Sequence, residues 1–167
     1  MFISIWRHGE AGRASSDRQR ELTSRGEEDV ASGARKVASA YKLQSIAPPE
    51  LILFSPWLRT TQTARLIGTV FEQAKQQEEP ALRPGSSTST VDRLLVSLQV
   101  SQPELAHIVL VSHQPLVSEL ARYYLSPDEQ PPSLVPGALC VCQFDAVAKQ
   151  FGELVFSAAP PDYDVVR

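Results

Sequence analysis

Residues His107–Pro115 read HIVLVSHQP. Four aliphatic side chains stand at consecutive positions, so both faces of a strand would be apolar. That pattern belongs to a strand inside a parallel sheet with helices packed on each side. The run stops on Ser112 and His113, and Pro115 then suits the opening of a helix. Two other apolar runs end in the same manner. Phe2–Trp6 stops at Arg7, His8 and Gly9, and Leu51–Phe54 stops at Ser55-Pro56 with Arg59 one turn further on.

Helical patterns separate these runs. Ser24–Leu43 has Val30, Ala34, Val37, Ala38 and Tyr41 at helical spacing, and Ser24 with Glu27 fits a capping box. A second helix is expected from Ser55 as N-cap and Pro56 as first residue, continuing through Ile67 to Phe71. Lys75–Glu79 is polar, Pro80–Thr88 reads as a loop, and Thr90–Gln102 as a third helix. A fourth follows His113 to about Leu125, and Ser126–Gly137 is a proline-rich loop. Ala138–Phe144 and Phe151–Ser157 look like a closing antiparallel hairpin. Strand and helix thus alternate, which predicts an α/β domain with a mainly parallel sheet.

The chain has 167 residues, which fits a single domain over 1–167. Apolar residues make up 43% and charged residues 21%, ordinary values for a globular protein. The net charge is −3, and there is no basic stripe, which argues against nucleic acid as a partner. Cys140 and Cys142 are spaced as neither a redox pair nor zinc ligands, and read as small core residues on one strand face. No apolar run is long enough to span a membrane. The six residues before Arg7 are too few for a secretory leader, so a cytoplasmic location is expected.

In an open parallel sheet, ligands gather beyond the carboxyl ends of the strands. If the three strands are neighbours, Arg7, His8, Arg59 and His113 meet at one edge. Guanidinium forks match phosphoryl oxygens in pairs, and helix N-termini favour anions. Imidazole near neutral pH carries the free lone pair that covalent catalysis needs. Gly9 would let the backbone pass close to a ligand. Each residue alone has a plain structural explanation, and His107 reads as structural. It is the conjunction at three strand ends that points to phosphoryl chemistry.

The same residues resemble a known family. RHGE at Arg7–Glu10 is the signature of the histidine phosphatase superfamily, which includes the phosphoglycerate mutases. LTSRG at Leu22–Gly26 is similar to its LT-x-x-G segment, SPWLRTTQTA at Ser55–Ala64 to its SP-x-x-R element, and VSHQP at Val111–Pro115 to its second histidine element. The short chain and SHQPLV most resemble the compact bacterial phosphohistidine phosphatases of the SixA type. The resemblance implies a three-layer αβα fold, a nucleophilic His8, and a phosphate pocket completed by Arg7, Arg59 and a cationic His113. Gln114 would contribute its backbone N–H; Ser15, Ser16 and Arg18 would line the pocket mouth. It implies neither cofactor nor metal.

The sequence departs from the family pattern at the general acid. Neither the Pro80–Ser87 loop nor Gln114 supplies one, leaving Glu10 and Asp92 as substitutes to be placed. An alcohol leaving group needs a proton delivered, whereas the neutral imidazole released from a protonated phosphohistidine needs little help. The expected substrate is therefore phosphohistidine; the resemblance implies that a histidine phosphotransfer domain or a phosphotransferase-system carrier bears it, and that the chain acts as a monomer. A small-molecule phosphatase and a non-catalytic phosphate-binding module are the alternatives.

Overall fold

A computed structural model describes all 167 residues. Six strands form one mixed sheet: β1 (Phe2–Arg7), β2 (Leu51–Phe54), β3 (Lys75–Glu78), β4 (His107–Ser112), β5 (Leu139–Gln143) and β6 (Glu153–Ala158). Their order is β3-β2-β4-β1-β5-β6. The first four run parallel, and the β5–β6 hairpin is antiparallel, with β5 paired to β1. The four helices are α1 (Ser24–Leu43), α2 (Leu58–Gly68), α3 (Thr88–Ser101) and α4 (Leu116–Tyr124).

Strand alternation divides the core in two. Ile3 and Ile5, Leu51 and Leu53, and Ile108 and Leu110 face α3 and α4. Trp6, Ile52 and Phe54, and Val109 and Val111 face α1 and α2. The result is the three-layer α/β/α arrangement expected from the sequence. Cys140 and Cys142 are free thiols buried in the first of these cores. No helix is long and apolar enough to cross a membrane.

Several local expectations are corrected. The N-cap of α1 is Thr23, whose hydroxyl accepts from Gly26 N–H, not Ser24. The polar Lys75–Glu78 segment is a strand whose four residues are all exposed; backbone pairing to β2 sets it in the sheet, and its charges guard an open edge. Helix α3 starts two residues earlier than expected, capped by Ser87. Helix α2 starts at Leu58, with Trp57 rather than Ser55 at its cap. The Ser55 side chain is committed elsewhere, as described below.

His107 has a full set of partners. Its Nδ1–H donates to Ala47 O at 2.7 Å, and its Nε2 accepts from Ser4 Oγ at 2.8 Å. Tyr41 Oη in turn donates to Ser4 Oγ at 2.8 Å. This chain of donors satisfies three polar groups inside the core and gives His107 a structural role.

Candidate active site

Three parallel neighbours, β1, β4 and β2, end on one edge of the sheet. Beyond that edge lies a cavity of about 300 Å³, lined by Arg7, His8, Arg59, His113 and Gln114. The rest of its wall is Ala11, Asp17, Arg20, Pro84 and Pro136.

His8 is held by its own neighbour. Its Nδ1 is 2.7 Å from Gly9 O, and a carbonyl only accepts, so Nδ1 carries the proton. Nε2 is then the lone-pair nitrogen, and it accepts from Arg59 Nε at 3.0 Å. Burial, with Arg59 and Arg7 adding their charge, pushes the His8 pKa down to about 4. The imidazole is therefore neutral at pH 7. Gly9 does not line the cavity. Its N–H donates to Thr63 Oγ1 at 3.1 Å, and a Cβ there would come within 2.9 Å of Gly26 O and of Val30. Glycine lets the chain turn against α1 while its carbonyl orients His8.

Arg59 comes from the first turn of α2 and is 4% exposed. Its Nη1 and Nη2 donate to Asp17 O at 2.6 Å and Asp17 Oδ2 at 3.2 Å. Arg7 Nη1 donates to Leu134 O at 2.9 Å, which braces the proline-rich loop, and Arg7 Nε is buried without a partner. His113 Nε2 lies 2.8 Å from Ser55 Oγ, and its Nδ1 is likewise buried and unpartnered. The His8 and His113 rings lie 5.1 Å apart. Burial, then the neighbouring His8 and Arg59, push His113 down to about 3. In this arrangement the ring is neutral at pH 7, whereas the expectation of a cationic His113 concerns the site with a phosphoryl group bound. Gln114 turns its amide to Ser118 Oγ and Leu134 O.

Ser15 and Arg18 are not brought to this cavity. Ser15 Oγ donates to Gln19 Oε1 at 3.2 Å on the surface. Ser16 and Arg18 line a neighbouring depression with Gln19, Pro56, Leu58 and Thr61. The turn at Asp17–Gln19 is anchored through Asp17 to Arg59, so its neighbours project away. Asp17 and Arg20, which sequence reasoning missed, line the wall instead. Their i, i+3 spacing as an ion pair of 3.0 Å was the one signal for them. The Arg20 hydrogen bond, helped by Arg59, lowers the Asp17 pKa and keeps it ionised.

Neither substitute acid reaches the cavity. Glu10 Oε1 accepts from Thr23 Oγ1 at 2.8 Å at the head of α1, and Asp92 accepts from Tyr124 Oη at 3.1 Å beneath α3. Pro84 is the part of the Pro80–Ser87 loop that lines the wall. Ser112 Oγ, donating to Leu82 O at 2.8 Å, ties that segment to β4.

No protein-family model matches the chain, and no curated protein does. Solved structures do. The chain is 28% identical to the protein histidine phosphatase SixA complexed with tungstate, over 96% of this chain and 97% of that one, with a TM-score of 0.77. It is 21% identical to SixA from Agrobacterium tumefaciens, over 96% and 98% of the two chains, at 0.75. It is 16% identical to a mycobacterial glucosyl-3-phosphoglycerate phosphatase complexed with VO3, over 92% and 97%, at 0.69. The fold is that of the histidine phosphatases, as the sequence motifs implied, and its structural neighbours are phosphatases.

Proposed function

We propose that this chain is a phosphohistidine phosphatase that works through a phosphorylated His8. One observation carries the choice of substrate: the single carboxyl lining the cavity, Asp17, is held ionised by Arg20 and Arg59. An ionised carboxylate is a poor proton donor to a departing alkoxide, which needs one. It is a good acceptor for the N–H of a departing imidazole. The 28% identical SixA binds tungstate, a tetrahedral oxyanion like phosphate, which supports reading the cavity as a phosphoryl site.

The chemistry follows in two steps. The His8 Nε2 lone pair attacks phosphorus, a P–N bond to His8 forms, and the substrate's P–N bond breaks in line with it. The bonding electrons leave on the substrate nitrogen, and the protonated ring departs as neutral imidazole whose remaining N–H points to Asp17. His8 becomes a phosphorylated imidazolium, and its Nδ1–H bond to Gly9 O becomes charge-assisted. Water then attacks phosphorus, inorganic phosphate leaves, and Nε2 recovers its lone pair. Arg7, Arg59 and His113 hold the non-bridging oxygens, so most of the catalysis is positioning and charge stabilisation.

Short connections around the cavity suit a phosphohistidine presented on another protein's surface. Comparing turnover of a phosphorylated histidine carrier protein, p-nitrophenyl phosphate and a sugar phosphate tests the proposal. A higher kcat/KM on the carrier supports it. Preference for the sugar phosphate would establish the small-molecule phosphatase in its place, and phosphate binding with no turnover would establish the binding module.

A further inference from the structure

Ser55 directly follows β2 and is fully buried. Its backbone is committed: the N–H donates to Val111 O at 3.1 Å, and the carbonyl accepts from Thr60 Oγ1 at 2.7 Å. Its hydroxyl has one partner, His113 Nε2 at 2.8 Å. His113 lines the cavity, and its other ring nitrogen, Nδ1, is buried with nothing to bond.

Two arrangements of protons on a neutral ring fit that distance. In the first, Nε2 carries the proton and Ser55 accepts it. The Ser55 proton is then buried without an acceptor, and a neutral ring turns the Nδ1 lone pair toward a ligand made of oxygen lone pairs. In the second, the Ser55 hydroxyl donates to Nε2, and Nδ1 carries a proton with no partner inside the protein. The first arrangement leaves a buried donor unpaired, which is unfavourable, and sets a lone pair against an oxyanion. The second leaves only a donor that a phosphoryl oxygen satisfies.

We propose that Ser55 is a positioning residue that fixes the His113 tautomer, placing the proton on Nδ1 so that a neutral imidazole donates a hydrogen bond to a phosphoryl oxygen. The low pKa of His113 supports this, because a ring that stays neutral can donate only from the nitrogen its tautomer protonates. The hydroxyls of α2 are engaged elsewhere. Thr60 Oγ1 is bound to Ser55 O and Trp57 O, Thr61 Oγ1 to Trp57 O, and Thr63 Oγ1 to Arg59 O. The same fold uses the device a second time. Ser4 Oγ faces His107 Nε2 at 2.8 Å, and there the Nδ1 partner is a carbonyl, Ala47 O, which fixes the proton on Nδ1 independently. At His113 the carbonyl is replaced by the cavity.

The inference rests on the cavity binding phosphoryl groups and not on which group leaves. It is tested by side-chain nitrogen NMR of the full chain with labelled histidine, with and without inorganic phosphate. A protonated Nδ1 and bare Nε2 on His113 are expected at neutral pH; a protonated Nε2 overturns the proposal. Ser55→Ala should lower kcat about tenfold near pH 8, the worth of one hydrogen bond. The loss should hold from pH 8 down to about pH 5.5, because the ring stays neutral across that range, and the Nδ1–H signal of His113 should weaken in Ser55→Ala as the proton moves to Nε2. Ser55→Thr should restore most of the rate. No loss of rate, or an unchanged His113 tautomer in Ser55→Ala, overturns the proposal. Where Ser55→Ala does not fold, the wild-type tautomer and the rescue series Ser55→Cys, Ser55→Thr decide it. A wild-type chain with the stated tautomer and no turnover of any phosphorylated substrate contradicts the proposed function and leaves the tautomer assignment standing.

Discussion

Arg59 Nε donates to His8 Nε2 at 3.0 Å, so the lone pair proposed to attack phosphorus is held by the same guanidinium proposed to bind the phosphoryl oxygens. The bond marks Nε2 as unprotonated and aims it at the cavity. Arriving phosphoryl oxygens compete for the guanidinium and release the lone pair. Lysine keeps the charge but has neither the fork nor the fixed Nε geometry. Arg59→Lys should therefore lower kcat/KM by about a hundredfold or more, close to the effect of Arg59→Ala. A lysine variant within a few-fold of wild type would show that charge alone matters.

Asp17 places a negative charge on the cavity wall against the outer nitrogens of Arg59. Asp17→Asn removes the proposed acceptor for a departing N–H and also the repulsion toward ester dianions. Turnover of a phosphohistidine carrier should fall about tenfold, while turnover of p-nitrophenyl phosphate should hold or rise. Steady-state kinetics on both substrates checks this. An equal fall on both would mean that Asp17 only braces Arg59.

The buried histidines set an acid limit on the fold. His107 titrates at about 4 in the folded chain because burial opposes its charge, against about 6.5 when unfolded. The unfolded state therefore binds the proton first. The contribution is complete above about pH 6.5, declines as pH falls, and levels off below about 4. Its full size is on the order of 3 kcal/mol. Urea unfolding across this range should show the decline in wild type and a shallower one in His107→Gln, whose amide can still reach Ser4 and Ala47. Parallel curves would remove His107 as the cause. Catalysis should persist to the same limit, since His8 stays neutral down to about 4.

The sheet was legible because β1, β2 and β4 are buried on both faces and announce themselves by unbroken apolar runs. The edge strand β3 was not, since the four residues Lys75–Glu78 are all exposed and backbone pairing to β2 sets them in the sheet. The convergence of Arg7, His8, Arg59 and His113 followed from three strand ends and parallel order. Asp17 and Arg20 were missed because a loop residue's direction depends on what anchors the loop, here Arg59 across 42 positions of sequence. Local pattern gives Ser55 a helix cap, because its contact with His113 spans 58 positions. The neutral state of His113 depends on burial, which the motif alone does not carry.

Gly26 in the LT-x-x-G segment has a packing reason. A Cβ there would lie 2.2 Å from Glu10 O, a backbone atom that cannot step aside, and Thr23 N–H holds that same carbonyl at 2.9 Å. Gly26→Ala should destabilise the fold by about 2 kcal/mol or more. It should also weaken phosphate binding by shifting the His8–Glu10 turn. Urea denaturation and phosphate titration check this; an unchanged midpoint would contradict it.

If His8 Nε2 takes the phosphoryl group from a phosphohistidine, the phosphorylated enzyme can be caught. The most direct test mixes the chain with a phosphorylated histidine carrier protein, quenches in alkali, and locates phosphate by mass spectrometry. A transient acid-labile phosphate on His8 is predicted, matched by its loss from the carrier and absent in His8→Ala. An unlabelled His8 and an untouched carrier, alongside turnover of a small phosphate ester, would contradict that chemistry.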